Sequence, residues 1–268
     1  MDIFNAESMQ SSVSDTGEQG SAMGDNINTQ EARRWKEEGN KLGVMQKFED
    51  AIRCYEKAIT LDPVDEDTYF QKGLAMMNLI RYQEAVEAFE QALRINDKDS
   101  RFWLYMGVNY FFMGRYSKSI PCFNMVIEIE PANVHALSNK GSALAELDKH
   151  PEAVECFDRI IELNPGDINA LYNKGISLQK MGKHKEAIGC FKQILKQDPE
   201  DADSWYELGI SLTKTDLCKE AIKCYDRVIR IEPNHAEVYE AKIDCLRKLG
   251  LDEEADSLIA NREMDDGW

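Results

Sequence analysis

The 268-residue chain has no apolar run long enough to cross a bilayer, and its first residues lack the basic start and apolar stretch of a secretion signal. Lysine and arginine are outnumbered by acidic residues, 32 against 49, so the formal net charge is −17. Because binding to phosphates depends on Lys and Arg, this deficit argues against nucleic acids and anionic membranes as partners. We therefore expect a cytoplasmic protein. The charge favours a basic or apolar partner, or alternatively serves only to keep an elongated surface soluble.

Glycine, by contrast, is spaced at a fixed interval. Six glycines recur every 34 residues: Gly39, Gly73, Gly107, Gly141, Gly175 and Gly209. A period of this length indicates a solenoid, in which each unit is a helix pair that buries its apolar face against its neighbours. Such a chain presents an extended surface rather than a catalytic pocket. The sequence therefore predicts a function in holding another polypeptide.

The residues around the glycines also recur, so each unit can be numbered in 34 places that start at Ala32. The eighth place holds the glycines, the twentieth holds small residues, and the twenty-fourth holds Tyr55, Phe89, Phe123, Phe157, Phe191 and Tyr225. This alternation predicts bulky side chains packed against small ones. We expect a first helix over about places two to fourteen and a second over places eighteen to thirty. Asp or Asn at the last place, as at Asp65 and Asn133, is expected to cap the next helix.

Two departures from the pattern are local. Pro121 lies inside the predicted second helix of the third repeat, where it removes a hydrogen bond to the Ser117 carbonyl and should bend the helix. The seventh repeat has Ile243 in place of the glycine and Ile259 in place of the aromatic residue. Such an atypical unit is typical of a terminal capping repeat.

The pattern W-x2-L-G-x2-Y, followed by A-x3-F and a proline within 34 residues, resembles the tetratricopeptide repeat (TPR). The stretch from Leu171 to Pro199 is similar to the tandem repeats of uncharacterised prokaryotic TPR proteins. The resemblance covers residues 32 to about 262. It implies an all-α fold, a right-handed α-solenoid of about seven TPR helix pairs, with the first helices lining a concave groove.

We divide the chain into three parts. Residues 1–30 match no repeat, contain no Lys or Arg and are rich in Ser, Gly, Asn and Gln, so we predict a disordered acidic tail. The solenoid is predicted over residues 31–262, followed by a short C-terminal tail, 263–268. The repeats are expected at 32–65, 66–99, 100–133, 134–167, 168–201 and 202–235, with a capping repeat at 236–262.

Seven cysteines are enough for disulfides or a metal site, but the chain has no CxxC pair. Five of them, Cys54, Cys122, Cys156, Cys190 and Cys224, share the twenty-third place. Equivalent atoms of successive units should lie roughly 10 Å apart, the diameter of a helix, whereas a disulfide needs Cα atoms within about 7 Å. We therefore predict reduced, packed cysteines and no metal.

The other potentially reactive side chains also follow the repeat pattern. His150, His184 and Cys218 share the seventeenth place, which other units fill with aromatic residues, so a packing role is expected. No catalytic spacing and no Gly-rich phosphate loop stands out. We predict a protein with neither enzymatic activity nor a cofactor.

Function should lie in the groove, on places two, five, six, nine, twelve and thirteen, by helical spacing and by the resemblance. The candidate peptide-binding residues are Phe70, Gln71, Leu74, Met77, Leu104, Tyr105, Val108, Phe111, Phe112, Asn139, Tyr172, Asn173, Ile176, Tyr206 and Ile210. Most form an apolar strip that no helical core explains, which favours an interaction site. Asn139 and Asn173 share the sixth place, where similar TPR proteins use asparagines to hold the backbone of an extended peptide.

The leading hypothesis is a non-catalytic scaffold or assembly adaptor that binds an extended, partly apolar segment of a protein partner. One alternative is the carboxylate clamp of co-chaperones, which grips an acidic C-terminal tail. Lys36 and Asn40 match its first unit, and Arg101 supplies one of the two basic residues expected in the third. The other alternative is a structural protein that self-associates, with the tail or an end repeat of one copy in the groove of another.

Overall fold

The computed structural model describes the backbone of residues 27–265 and the side chains of residues 27–260. All regular structure within that range is helical. The fourteen helices are α1 (Ile27–Val44), α2 (Phe48–Leu61), α3 (Glu66–Asn78), α4 (Tyr82–Ile95), α5 (Ser100–Phe112), α6 (Tyr116–Ile129), α7 (Val134–Ala145), α8 (His150–Leu163), α9 (Ile168–Lys180), α10 (His184–Gln197), α11 (Ala202–Lys214), α12 (Cys218–Ile231), α13 (Ala236–Lys248) and α14 (Asp252–Asp265). They form seven consecutive pairs, which confirms the predicted all-α solenoid.

The helices begin slightly earlier than the sequence pattern suggested. From α3 onward each first helix starts at the first place of its repeat, and each second helix through α12 starts at the seventeenth. At the N-terminal end, α1 starts at Ile27, so residues 27–30 are helical although they were predicted to be disordered. Neither Gly nor Pro separates Ile27 from Ala32, and extending an existing helix costs little. At the other end α14 continues to Asp265, beyond the predicted limit at 262.

The rest of the predicted tails, residues 1–26 and 266–268, lies outside the described residues.

The helix pairs stack into a curved array. Every helix packs against the next one along the chain, and each first helix also contacts the first helix of the neighbouring repeat. Within the described residues no equivalent contact joins one second helix to another. The odd-numbered helices therefore lie closer together, on the concave side of the array, and the even-numbered helices lie outside them.

A left-handed residue ends every first helix, at the fifteenth place of each unit. These residues are Gln46, Ile80, Gly114, Asp148, Gly182, Asp216 and Gly250. The amide after each one returns to a carbonyl five residues earlier, as from Lys183 to Leu178 at 2.8 Å, which is a Schellman turn. Only three of the seven are glycines, so a search for glycine alone does not reveal this turn.

The predicted N-caps are confirmed in part. The side chains of Asp99, Asn133 and Asp167 accept hydrogen bonds from backbone amides in the first turn of the next helix. Asp65, Asp201 and His235 stand at the cap position without such a bond. The carboxylate of Asp65 is instead engaged by the Thr68 hydroxyl at 2.7 Å and the Lys36 ammonium at 2.9 Å.

The buried apolar residues form three clusters along the array. One covers repeats one to three, from Ala51 to Cys122; a second is centred on repeat four, around Phe157; and the third covers repeats five to seven, from Leu171 to Cys245. The small-against-large packing predicted from the repeat is present in each of the first six units, where the eighth-place glycine lies under the aromatic ring at the twenty-fourth place. The core is thus a ribbon between the two layers of helices.

The two local departures are accommodated without a break in the helices. Helix α6 is one continuous helix with Pro121 inside it. In the seventh repeat the glycine and its aromatic partner are replaced together by Ile243 and Ile259, which are both half-buried. Replacing both members of the pair fills the space beneath the missing ring with an aliphatic side chain.

Candidate peptide-binding groove

The concave face is formed by the odd-numbered helices. The predicted groove residues lie on five of them, α3, α5, α7, α9 and α11, which are the first helices of repeats two to six. Their exposure divides them into three groups. Phe70, Val108 and Asn139 are buried, with 4%, 2% and 4% of their surface exposed. Phe112 is exposed at 44%. The half-buried group comprises Gln71, Leu74, Met77, Leu104, Tyr105, Phe111, Tyr172, Asn173, Ile176, Tyr206 and Ile210.

The expectation that no helical core explains this strip is wrong for Phe70 and Val108. The ring of Phe70 packs between those of Phe89 and Phe102, with centroids 5.8 and 5.2 Å away. Leu74, Met77 and Tyr105 pack against the same core cluster but keep part of their surface exposed to solvent. The fifth place therefore points into the core at Phe70, because three aromatic rings from adjacent helices meet there.

Aromatic side chains also gather where the first helices of repeats two and three end. The Phe112 ring stacks on Tyr82 with centroids 5.5 Å apart and an interplanar angle of 15°. Phe111 meets Tyr116 edge-on at 5.1 Å and Phe112 at 6.3 Å. These rings hold one another in place, so they offer an ordered apolar surface at this edge of the groove.

The two asparagines of the sixth place differ in their surroundings. Asn173 is half-buried, whereas Asn139 is almost fully buried. Asn139 lies on α7, which contacts the first helices α5 and α9 of the neighbouring repeats. Among the described residues, neither amide forms a hydrogen bond with another side chain or with the backbone.

The three clamp residues are already engaged within the chain. The Lys36 ammonium lies 2.9 Å from Asp65 and 3.3 Å from Asp67, and Asn40 accepts a hydrogen bond from the Tyr55 hydroxyl. Burial acts to lower the pKa of Lys36, but the two carboxylates outweigh it and raise that pKa. Arg101 pairs with Asp99 at 2.7 Å. These cations are therefore tied to acidic residues of the chain itself.

Repeats five to seven give the groove a different character. The rings of Tyr172 and Tyr206 are half-buried, packed against Phe191 at 6.0 Å and Tyr225 at 6.3 Å. Burial raises the pKa of both hydroxyls, and nearby carboxylates raise it further. Those carboxylates are Glu207, Asp203 and Asp201 for Tyr172, and Glu237, Glu207 and Glu240 for Tyr206.

This acidic lining was missed when the sequence was read for apolar and amide residues. The signal was nevertheless present, because Asp203 and Glu237 fill the second place and Glu207 the sixth, both of which face the groove.

The cysteine side chains lie in the core. All seven thiols are free and buried, and burial raises the pKa of Cys122 to about 12, where the reactive thiolate is scarce. Within the described residues, no three His, Cys, Asp or Glu side chains come together in a way that could hold a metal ion. A helix of the length and apolar character needed to cross a bilayer is likewise not found in this part of the chain.

Comparison with solved structures shows the same architecture in other proteins. YrrB, described as a TPR protein with an unusual peptide-binding site, is 23% identical with a TM-score of 0.64, over 70% of this chain and 97% of YrrB. A tetratricopeptide repeat protein from Parabacteroides merdae ATCC 43184 is 17% identical with a TM-score of 0.66, over 88% and 93%. MamA from Desulfovibrio magneticus RS-1 is 19% identical with a TM-score of 0.60, over 63% and 96%. At these identities the likeness concerns the fold alone.

Comparison with curated proteins finds no match. The family comparison, in contrast, covers most of the solenoid. Models of the tetratricopeptide repeat match residues 66–99, 100–133, 134–167, 168–201 and 202–235, and a further TPR repeat model matches residues 39–79. These matches together take in more than half of the chain. Proteins of this kind are in general non-catalytic scaffolds for protein–protein interaction. The chain belongs to the tetratricopeptide repeat family.

Proposed function

We propose that this protein is a scaffold or assembly adaptor that binds an extended, partly apolar segment of a protein partner along its concave groove. The observation that carries the proposal is the row of half-buried apolar and aromatic side chains on α3, α5, α9 and α11. One side of each of these side chains packs on the core and the other side stays open to solvent. A partly exposed apolar surface of this kind is typical of a protein interaction site.

Two stretches of the groove supply the apolar contacts. The first is the aromatic edge of repeats two and three, with Phe111 and Phe112. The second is the floor of repeats five and six, with Tyr172 and Ile176. Their rings and branched side chains are held by neighbours, so little conformational entropy is lost when a partner binds.

The amide of Asn139 lies on α7, between the helices that carry these stretches, and the amide of Asn173 lies on α9, within the second stretch. An amide without a partner inside the protein can donate to and accept from the backbone of a bound segment, whatever its sequence. We propose this role for Asn173, with Asn139 contributing from the floor of the groove.

The carboxylate clamp is the less favoured function. A clamp needs cations that can turn toward a carboxylate of the ligand, and Lys36 and Arg101 already hold carboxylates of the chain. Releasing them would cost the interactions that they make at present.

The test is to capture partners from a native extract, identify one, and measure its affinity for the single variants Phe111→Ala and Tyr172→Ala. Each truncation removes an aromatic contact from a different stretch, so we expect each to weaken binding by about fivefold or more, which corresponds to roughly 1 kcal/mol. Calorimetry or fluorescence anisotropy gives the dissociation constants.

Ile129→Ala and Leu163→Ala are the matched controls. Both residues are apolar and exposed, at 39% and 51%, but they end the outer helices α6 and α8. The controls should bind as tightly as the parent protein, with unfolding midpoints recorded for all four variants. Equal binding by the groove variants and the parent would show that the partner is held elsewhere.

A further inference from the structure

The turns after α1, α3 and α5 follow equivalent helices of successive repeats, so they lie along one edge of the array. They expose large apolar side chains, which are Val44, Met45, Ile80 and Phe112. The residue before the next helix is basic in each turn, and these residues are Lys47, Arg81 and Arg115. We name residues 44–47, 78–81 and 112–115 the basic apolar edge.

Two contacts join the second and third repeats at this edge. The Phe112 ring stacks on Tyr82, which follows Ile80 by two residues, and the Arg115 guanidinium donates to the Gln83 side-chain oxygen at 2.8 Å. Apolar and basic groups are thus held beside one another, so a single ligand can contact both.

The later repeats separate these two properties. In repeats four and five the basic residue remains, as Lys149 and Lys183, but these turns expose no large apolar side chain. In repeats six and seven the sixteenth place is an exposed leucine, Leu217 and Leu251, each next to an aspartate. Among the twelve residues of the basic apolar edge three are basic and none is acidic, in a chain whose net charge is −17.

The turn itself does not explain why Ile80 is present. Its φ is 62°, in the left-handed region that β-branched residues rarely adopt, whereas Gly114 and Gly182 fill the same place in other repeats. The side chain is 71% exposed, so packing within the chain does not offset the strain. An exposed apolar side chain on an unfavourable backbone conformation indicates a contact with a further segment.

The chemistry of the edge is complementary to the N-terminal segment of the chain, which lies outside the described residues. Residues 2–9 read DIFNAESM, so Ile3 and Phe4 stand close in sequence to Asp2 and Glu7. The first basic residue of the chain is Arg33. The segment therefore matches apolar side chains with apolar ones and negative charge with positive charge.

The length of the chain permits this contact. Helix α1 has 18 residues and is about 27 Å long, which is the distance from Ile27 to the turn at Val44. Residues 10–26 join the segment to α1, and an extended chain of that length spans up to about 58 Å. A tether of this kind gives the segment a local concentration in the millimolar range.

We propose that residues 2–9 dock on the basic apolar edge of their own chain. Ile3 and Phe4 contact Ile80 and Phe112, and the acidic side chains pair with Arg115, because Arg81 already holds Glu84. This assignment goes beyond the proposed function, since the occupant is part of the protein. It also means that the segment competes with the partner for Phe112.

The experiment compares the full-length parent with the full-length variant Ile3→Ser/Phe4→Ser, which vacates the edge. Both are titrated with a fluorescein-labelled peptide of residues 1–10, MDIFNAESMQ. The variant should bind the peptide about tenfold more tightly than the parent, whose edge is occupied by its own segment. Hydrogen exchange is measured on the same two proteins, and the amides of the turns after α1, α3 and α5 should exchange several-fold faster in the variant.

Two substitutions at the edge are then added to Ile3→Ser/Phe4→Ser. Ile80→Asn and Arg115→Gln should each weaken peptide binding by about fivefold. Ile80→Asn should at the same time raise the midpoint of urea unfolding, because asparagine tolerates the left-handed conformation, so its loss of binding cannot result from a loss of fold. Lys149→Gln, at the equivalent place of repeat four, is the matched control and should bind the peptide unchanged.

Equal hydrogen exchange in the parent and in Ile3→Ser/Phe4→Ser, or unchanged peptide binding by Ile80→Asn, would overturn the inference. A sedimentation mass that rises with concentration in the parent, but not in Ile3→Ser/Phe4→Ser, would place the segment on a second copy and overturn docking within one chain. The groove is tested separately by the affinity of Tyr172→Ala for a captured partner, so either proposal can fail while the other stands.

Discussion

In the first six repeats a glycine of the first helix faces the aromatic ring at the twenty-fourth place. A Cβ atom built on Gly175 would lie 2.6 Å from Cζ of Phe191, and one on Gly73 would lie 2.4 Å from Phe89. Both rings are fully buried, so neither can swing aside. The recurring glycine is therefore a packing requirement: the absent side chain makes the space that the ring fills.

We predict opposite effects for two glycine substitutions in the fifth repeat. Gly175→Ala should lower the free energy of unfolding by about 1–3 kcal/mol, because the new methyl group overpacks the core. Gly189→Ala should raise it by about 0.5–1 kcal/mol, because alanine favours the helix. No atom lies within 4 Å of the Cβ position at Gly189, on the same helix as Phe191.

Urea titrations of the parent and both variants measure the difference. Equal effects of the two substitutions would show that helix propensity, and not the contact with the ring, decides the eighth place.

At the scale of the helix, proline has two distinct positions in the outer layer. Pro121 is the sixth residue of α6, where it has no amide to donate to the Ser117 carbonyl. Pro151 is the second residue of α8, where the amide of an ordinary residue has no partner within the helix. The same residue type is therefore costly in one helix and well placed in the other.

We predict that Pro121→Ala raises the free energy of unfolding by about 1 kcal/mol or more, since it restores a hydrogen bond and leaves no cavity at an exposed position. Pro151→Ala should leave stability unchanged or slightly lower, because no bond is gained and the unfolded chain becomes freer. Thermal and urea unfolding of both variants provide the measurement. A loss of stability in Pro121→Ala would mean that the packing of repeat three depends on the helix geometry that Pro121 imposes.

At the scale of the whole molecule, the described helices contact only their neighbours along the chain, except that each first helix also contacts the first helix of the adjacent repeat. Stability in such an array is close to a sum of repeats and their interfaces. Two of the junctions are also chemically alike. The indole N–H of Trp103 donates to the Asp97 carbonyl and that of Trp205 to the Pro199 carbonyl, both at 2.9 Å. Each carbonyl lies two residues after the end of the preceding second helix.

We therefore predict that deleting residues 168–201, one full period, leaves a folded and shorter solenoid. The deletion brings repeat four against repeat six in the same register, so circular dichroism should show the same helicity per residue and unfolding should stay cooperative. Deleting residues 168–184 removes half a period and should abolish cooperative unfolding, because an outer helix then follows another outer helix. Similar behaviour of the two deletions would contradict a repeat-by-repeat architecture.

The sequence by itself determined the period, the helix pairs and the class of function. Those properties are local and repeated: glycines and aromatic residues at fixed places require the same packing in each unit, and seven copies make the pattern plain. The turn after each first helix was not predicted from the sequence, because its left-handed residue is Gln, Ile or Asp in four of seven units. The Schellman hydrogen bonds impose the left-handed conformation, and a glycine at this place only lowers its conformational cost.

Only the tertiary structure decided which groove residues are open to a partner. Phe70 and Phe111 are both apolar residues of first helices, yet Phe70 is enclosed by rings from α4 and α5 and Phe111 stays half-buried. Likewise Lys36 matches a binding motif but is held by Asp65, 29 residues away, and the carboxylates around Tyr206 come from two helices. The exposure of a side chain and the pairing of its charge depend on how closely neighbouring repeats approach one another. The spacing between repeats is set by the packing of the whole array.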